Sequence, residues 1–372
     1  MNNFVNAVLL IIGTQIGAGI IALPMTTVNV GMSYTILFTL FSMFITYRSS
    51  LICCEMNFYK KENLSLIELN KKYGNRKSFF ITSILYYALL FCLLSVYFSG
   101  LTDNVSFIFN LNKNLVLVGC GIFLVFFLHF FDNKIFSSLS SIFVIIFVCV
   151  IFCAIFKIGF AIPKYEVSLK VKEFPNFFLI LFTSFGMQHI APFICQSLNY
   201  DKKLTQKAFL SAILVTGVIY ILWISCSLQK VAQSPEILNK LQTGTISTGE
   251  FVQFLCDSSS SKVLSQILQM ITFFAIVTSM IGVGLGIKHA LQPKLGISSY
   301  LLIFLIPIFA NLFIPNVFLN ILAFGGLICT ILYIFIPFYL VKKNIKEENL
   351  WNGFLLTLGL ILVLCEFYVY CF

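Results

Sequence analysis

Residues 13–24 read Gly-Thr-Gln-Ile-Gly-Ala-Gly-Ile-Ile-Ala-Leu-Pro and lie within a run, residues 1–47, that contains no Asp, Glu, Lys or Arg. A charge-free run of this length is long enough for helices that span a lipid bilayer. Each glycine costs a helix roughly 1 kcal/mol relative to alanine, so three glycines followed by Pro24 disfavour a continuous helix. We therefore predict that the first membrane helix is broken near its centre.

A second apolar span is interrupted in the same manner. Residues 183–192 read Thr-Ser-Phe-Gly-Met-Gln-His-Ile-Ala-Pro, which repeats the order of polar residues, glycine and proline. This stretch lies in the sixth predicted span, so five helices separate the two starts, and an odd number inverts the second copy in the membrane. Paired interruptions of this kind are typical of inverted-repeat transporters, whose site lies where the broken helices meet near the midplane.

The composition supports a membrane protein. Of 372 residues, 59% are hydrophobic and 10% are charged, and the mean hydropathy is +0.98. Because hydrocarbon offers no hydrogen-bond partners, such a chain is expected to form helices. The charge-free stretches are residues 1–47, 78–102, 114–131, 135–156, 174–200, 208–229, 263–287, 295–341 and 349–365. The first and the eighth are each long enough for two helices, with turns predicted near residues 29–33 and 311–316, which makes eleven.

We expect one transmembrane domain over residues 1–372, all α-helical. It comprises a first five-helix repeat at 1–158, an inverted second repeat at 174–342 and an eleventh helix at 349–372. Neither a sizeable soluble domain nor a Walker-type phosphate loop is present in the sequence, which argues against an ATP-driven pump or a soluble-type enzyme. The twelve cysteines show no paired CxxC spacing, so we predict no metal site, no cofactor and no catalytic residues.

The distribution of basic residues predicts the orientation. A cytoplasmic N-terminus places fifteen Lys and Arg residues in inner loops and eight in outer loops, which agrees with the positive-inside rule. The net charge of +10 arises from these loops, where membrane topology already explains the excess of basic residues. We therefore predict no nucleic-acid partner. The expected location is the cell inner membrane, with lipid as the surrounding solvent.

A broken helix can bind a zwitterion without a buried charged side chain. The free N–H groups at the start of its outer half carry the positive end of the helix dipole and suit a carboxylate. The carbonyl groups that end its inner half suit an ammonium group or a cation. The alternative is close helix packing through small residues, which explains Gly13 and Gly17 equally well when they are considered alone. The matching interruption in the sixth span favours a site for a neutral amino acid.

Three motifs carry a resemblance to a known family. The runs GTQIGAGIIALP at residues 13–24, TSFG at 183–186 and TSMIGVGLG at 278–286 resemble the hydroxy and aromatic amino acid permease family, which contains tyrosine- and tryptophan-specific permeases. The similarity extends over nearly the whole chain and includes Glu55, Tyr97-Phe98-Ser99-Gly100 and Phe324-Gly325-Gly326. It implies the leucine-transporter-like fold, five plus five inverted helices and an eleventh, and uptake driven by a proton gradient.

The sequence departs from the family pattern at two places. The family's sixth helix usually continues with an aromatic residue and then a histidine, whereas this chain has Met187-Gln188 before His189. At the end of the eighth helix, this chain has Lys288-His289 where the family commonly has an acidic residue. Both departures concern the identity of the side-chain pocket.

The resemblance and the interruptions together predict the substrate-binding residues. Those expected to hold the backbone ends of the substrate are Thr14, Gly17, Ala18, Gly19, Ser184 and Gly186. Phe185 is a candidate gate over the substrate's side chain, although a packing phenylalanine is the favoured alternative in a chain with 43 of them. Tyr97 and Ser99 are further candidates.

Two kinds of residue are candidates for coupling to an ion. Thr278 and Ser279 resemble the sodium site of the implied fold, although hydroxyls that bond back to their own helix are the favoured alternative. For protons, the candidates within or at the ends of spans are Glu55, Asp103, His129, His189 and Glu366. His189 is preferred among them because imidazole titrates near neutral pH.

The leading hypothesis is therefore a secondary transporter that imports an aromatic amino acid, tyrosine or tryptophan, with H⁺ or, alternatively, Na⁺. A carrier of small neutral or hydroxy amino acids such as serine or threonine is the runner-up. A membrane-embedded enzyme needs convergent catalytic groups, and a channel needs a continuous polar path. Saturable, stereospecific uptake distinguishes a carrier from both.

Overall fold

A computed structural model describes residues 3–130, 170–258, 262–314, 317–345 and 350–371. Every regular element in these ranges is helical, which confirms the predicted all-α class. The helices in chain order are α1 (Asn3–Gln15), α2 (Gly19–Thr27), α3 (Met32–Lys60), α4 (Leu66–Tyr73), α5 (Arg76–Phe109), α6 (Lys113–Phe130), α7 (Phe174–Ser184), α8 (Ala191–Ser197), α9 (Lys202–Val231), α10 (Pro235–Thr243), α11 (Thr248–Asp257), α12 (Lys262–Leu295), α13 (Ser298–Phe313), α14 (Val317–Thr330), α15 (Ile336–Asn344) and α16 (Leu350–Cys371).

Several of these helices can cross a membrane. Six within the described ranges are long and apolar enough, or seven if α1 and α2 count as one bent span; α14 and α15 form one of them through a π-helical turn, Ile331–Phe335. Two more, α7 and α13, are apolar but shorter. The predicted span at 135–156 lies outside the described residues, so the total of eleven stays a prediction.

Local sequence signals set several helix ends. Gly31, with a φ of 81°, precedes α3, and Lys61, with a φ of 53°, ends it in the left-handed conformation. The Ser65 side chain accepts a hydrogen bond from the Glu68 N–H, and the Glu68 side chain accepts one from the Ser65 N–H, a capping box that starts α4. The turns before α3 and α4 therefore follow from residue type.

The hydrophilic stretch between α9 and α12 contains two helices that the hydropathy pattern does not predict. They are α10 and α11, both amphipathic. The Lys240 Nζ atom lies 2.8 Å from a Glu236 carboxylate oxygen and 2.9 Å from one of Glu250. Clusters of charged residues mark this segment as hydrophilic, but they do not show that it forms short helices.

The first and sixth predicted spans occupy the centre of the bundle. The helix α9 packs along both α1 and α2, and α7 packs against both α2 and α14. The long helices α5 and α12 also pack against each other. This arrangement brings the interrupted parts of the chain next to α5, α9 and α12.

Candidate functional site

The first span is broken where the sequence predicts. The helix α1 ends at Gln15 and α2 begins at Gly19, with a bend of 52° between them. The Ile16 N–H still donates to the Ile12 carbonyl at 2.9 Å, but among the described residues the N–H groups of Gly17 and Ala18 have no backbone acceptor. These N–H groups lie at the positive end of the α2 dipole.

The sixth span is interrupted over residues 185–190, between α7 and α8. The Gly186 N–H donates to the Thr183 carbonyl at 2.9 Å, and the Met187 N–H donates to the side-chain oxygen of Gln188 at 2.9 Å. A Cβ atom on Gly186 would lie 2.8 Å from the Thr183 carbonyl oxygen, so only glycine fits this tight turn. The second predicted interruption is therefore present as well.

The two interruptions touch each other. The Gln15 side-chain amide donates to the Phe185 carbonyl at 3.2 Å. A Cβ atom on Gly19 would lie only 2.5 Å from Ser184 Oγ, so the absence of a side chain at Gly19 permits this approach. The two interrupted segments are therefore in direct contact.

A cavity of about 330 Å³ adjoins the interruptions and is also lined by α5 and α12. Its volume lies within the range usual for small-molecule sites. The predicted site residues that line it are Thr14, Gly17, Ala18, Gly19, Tyr97, Ser184, Gly186, His189, Thr278 and Ser279. The structure therefore brings ten candidates from four separate segments to one place.

The wall formed by α12 lies directly against the first interruption. A Cβ atom on Gly17 would lie 2.8 Å from Ser279 Oγ and 3.4 Å from the Tyr97 hydroxyl. The Thr278 hydroxyl donates to the Phe274 carbonyl of its own helix at 2.7 Å, as the favoured alternative in the sequence analysis expects. Because Gly17 has no side chain, the hydroxyl groups of Ser279 on α12 and Tyr97 on α5 lie close to the unwound backbone.

Three other candidates lie away from this cavity. The Phe185 side chain is fully buried, and its ring packs edge-on against Tyr220 with centroids 5.3 Å apart. Ser99 lines a separate cavity of about 410 Å³, together with Asp103. The Glu55 carboxylate lies 3.6 Å from Lys202 Nζ, at the end of α3. Their proposed roles stay predictions.

Most residues of the apolar wall of the cavity are not predicted from the sequence. These residues are Leu9, Leu10, Tyr86, Leu89, Leu90, Leu93, Ile190, Phe274, Val283, Cys329 and Tyr333. Aliphatic and aromatic side chains in a membrane span look the same in sequence whether they face lipid or a cavity. The spacing of Gly282 and Gly286, one helical turn apart on α12, was the one available signal of a close approach there.

Two broken spans that meet beside a cavity in a helical membrane bundle are typical of secondary transporters. A solved structure of the manganese transporter of Eremococcus coleocola shares the fold, with a TM-score of 0.55 and 12% sequence identity over 97% of this chain and 85% of that one. At this identity the similarity concerns the fold alone.

The family follows from the sequence comparison. The model of the tryptophan/tyrosine permease family matches residues 1–372, and the chain belongs to this family. It is 27% identical to tyrosine-specific transport system 1 of Haemophilus influenzae, over 98% of this chain and 95% of that protein. It is 23% identical to the tryptophan-specific transport protein of Shigella flexneri, over 94% and 90%. It is also 24% identical to glutamine transporter 2 of Aliivibrio fischeri, over 92% and 89%.

Proposed function

We propose that this chain is a secondary active transporter that imports an aromatic amino acid, tyrosine or tryptophan, across the cell inner membrane by ion symport. The observation that carries the proposal is the contact between the two interrupted spans at the edge of one cavity. Membership of a permease family supports it, as do the tyrosine- and tryptophan-specific relatives.

The polar end of the cavity suits the backbone of an amino acid. The carboxylate of the substrate is proposed to accept hydrogen bonds from the N–H groups of Gly17, Ala18 and Gly19, of which Gly17 and Ala18 lack a backbone acceptor among the described residues. Its ammonium group is proposed to donate to carbonyl groups at the ends of α1 and α7, near Thr14 and Ser184. Both charges are then met by helix ends rather than by charged side chains.

The apolar end of the cavity suits a large side chain. Leu89, Leu90 and Leu93 form one side of it, and the rings of Tyr86 and Phe274 also contribute. Aromatic rings pack favourably against one another in edge-on or offset geometries. We therefore favour tyrosine and tryptophan over serine and threonine, whose short side chains would leave this wall unoccupied.

A small polar substrate is the second candidate. Among the relatives is a protein named glutamine transporter 2, at 24% identity. The hydroxyl-bearing residues of the wall, Tyr97, Thr278 and Ser279, offer donors and acceptors for a polar side chain. Competition by amino acids of both classes separates the two candidates.

For the topology, we propose eleven spans, with repeats at 1–158 and 174–342 and an eleventh helix at 349–372, and a cytoplasmic N-terminus. The cavity is lined by Leu9 and Leu10 of α1 but by no residue of α2 beyond Gly19. In this orientation it lies toward the cytoplasmic half of the bundle, and the cavity around Asp103 lies toward the outer half.

The substrate class is tested by uptake into proteoliposomes that contain the purified protein. Labelled tyrosine or tryptophan should accumulate with saturable kinetics, and unlabelled tyrosine and tryptophan should compete more strongly than serine, threonine or glutamine. If glutamine or serine competes at a concentration tenfold lower than that required of tyrosine or tryptophan, the second candidate is favoured instead. Absence of uptake for every one of the twenty amino acids would refute the proposed function.

For coupling, we propose H⁺ with His189 as the proton-sensitive group, because this side chain lines the cavity beside the second interruption. An imposed proton gradient should drive accumulation, and replacing sodium by choline at fixed pH should leave it unchanged. A His189→Gln variant should equilibrate substrate without accumulating it. Loss of uptake in choline would favour a sodium site at Thr278 and Ser279, and accumulation by the variant would exclude His189.

A further inference from the structure

Two helix ends of the same polarity converge at the junction of the interruptions. The Gln15 carbonyl at the end of α1 lies 2.7 Å from the Tyr220 hydroxyl, and the Ser184 carbonyl at the end of α7 lies 3.2 Å from it. Each C-terminal helix end carries partial negative charge. The two ends therefore repel each other unless a donor lies between them.

Tyr220 is the donor that the structure places there. Its side chain lies on α9 and is fully buried. A hydroxyl group carries a single hydrogen, so one hydrogen serves both carbonyl groups. It follows that the spacing of the two helix ends depends on this one group.

The rest of the junction is short of donors. The Gln15 side-chain nitrogen donates to the Phe185 carbonyl at 3.2 Å, whereas the buried Gln15 side-chain oxygen has no partner among the described residues. A buried acceptor without a donor is unfavourable. Losing the Tyr220 hydroxyl would therefore remove the side-chain donor that the two carbonyl groups share.

The neighbours of Tyr220 hold its ring in place. The Phe185 ring meets it edge-on at 86° between ring planes. Gly19 leaves room for the hydroxyl, since a Cβ atom there would lie 2.8 Å from it. Trp223, one turn further along α9, donates to the Ile20 carbonyl at 2.6 Å and fixes α9 against α2.

We infer that Tyr220 is a positioning residue for substrate recognition. Its hydroxyl holds the carbonyl ends of α1 and α7 at the spacing that receives the ammonium group of the substrate. It acts through these two backbone segments, because Tyr220 itself does not line the described cavity. The inference rests on the proposed function. It adds the residue that fixes the distance between the ends of α1 and α7.

The test compares a Tyr220→Phe variant with the wild type in proteoliposomes. The ring is retained and only the hydroxyl is lost, so we expect similar amounts of folded protein and a KM for the aromatic amino acid raised about tenfold. The maximal rate should change much less. The readout specific to this role is discrimination, defined as the ratio of inhibition constants for the deaminated analogue and the amino acid. This ratio should fall about tenfold. Only the amino acid has an ammonium group, so only its binding is weakened when the two carbonyl groups are displaced.

Trp223→Phe is the matched control, since it removes a buried donor on the same helix that serves α2 alone. It is expected to lower thermal stability and leave the discrimination ratio at the wild-type value. Wild-type discrimination in Tyr220→Phe, or an equal fall in both variants, would overturn the inference. Absence of amino-acid uptake by the wild type would instead refute the proposed function, so the two failures are distinguishable.

Discussion

A Gly17→Leu variant is expected to lose at least about 100-fold in uptake rate while it remains folded in the membrane. This loss corresponds to ~2.7 kcal/mol of binding or transition-state stabilisation. A Cβ atom at this position already lies 2.8 Å from Ser279 Oγ, so the rest of a leucine side chain must enter the cavity. It would then occupy the space that we assign to the substrate and cover the N–H groups of the first interruption.

The measurement is the initial uptake rate divided by the amount of protein in the membrane. Gly119→Leu is the control, because among the described residues no atom beyond the adjoining chain and the backbone of α6 lies within 4 Å of a Cβ atom placed on Gly119. The control should transport at the wild-type rate, which shows that a leucine in place of a membrane glycine is tolerated. Wild-type uptake by Gly17→Leu would mean that substrate binds elsewhere.

A Gly326→Ala variant is expected to destabilise the fold. A Cβ atom on Gly326 in α14 would lie 2.4 Å from the Leu179 carbonyl oxygen and 2.7 Å from its carbonyl carbon. Both atoms belong to the backbone of α7, so the clash is relieved only by moving one helix relative to the other. Overpacking of this kind costs about 1–3 kcal/mol, and we expect a value at the upper end of that range.

The neighbouring glycine supplies a matched control. A Cβ atom on Gly325 would find its nearest neighbour, Leu89 Cδ1, at 3.8 Å, an ordinary van der Waals distance. Thermal unfolding in detergent should therefore occur at a clearly lower temperature for Gly326→Ala and near the wild-type temperature for Gly325→Ala. Equal midpoints for the two variants would show that α7 and α14 are further apart than described.

The spans and their interruptions could be predicted because both depend on simple physical rules. Lipid excludes charge, so charge-free runs mark the membrane helices. Glycine and proline disfavour continuous helix, so the run at 13–24 and the repeated pattern at 183–192 mark the breaks. These rules are local in sequence and need no knowledge of the packing.

The contacts between helices could not be predicted in this way. Tyr220 is one of 15 tyrosines, and the Gln15 carbonyl that it bridges is 205 residues away in sequence. Phe185 turns away from the cavity because its ring packs on Tyr220. Glu55 lies next to Lys202, 3.6 Å from its Nζ atom. Each of these placements depends on which faces of distant helices meet, and hydropathy alone does not specify that.

The central claim is that unwound backbone binds both charged ends of an amino acid, and inhibition by substrate analogues tests it most directly. The experiment measures how strongly uptake of labelled tryptophan is inhibited by unlabelled tryptophan, by its decarboxylated amine and by its deaminated acid. The same comparison is made for tyrosine. Each analogue keeps the ring and lacks one charged end. We predict that both inhibit at least about 100-fold more weakly than the amino acid, a difference of ~2.7 kcal/mol per charged end. Inhibition by either analogue as strong as that of the amino acid itself would contradict the account.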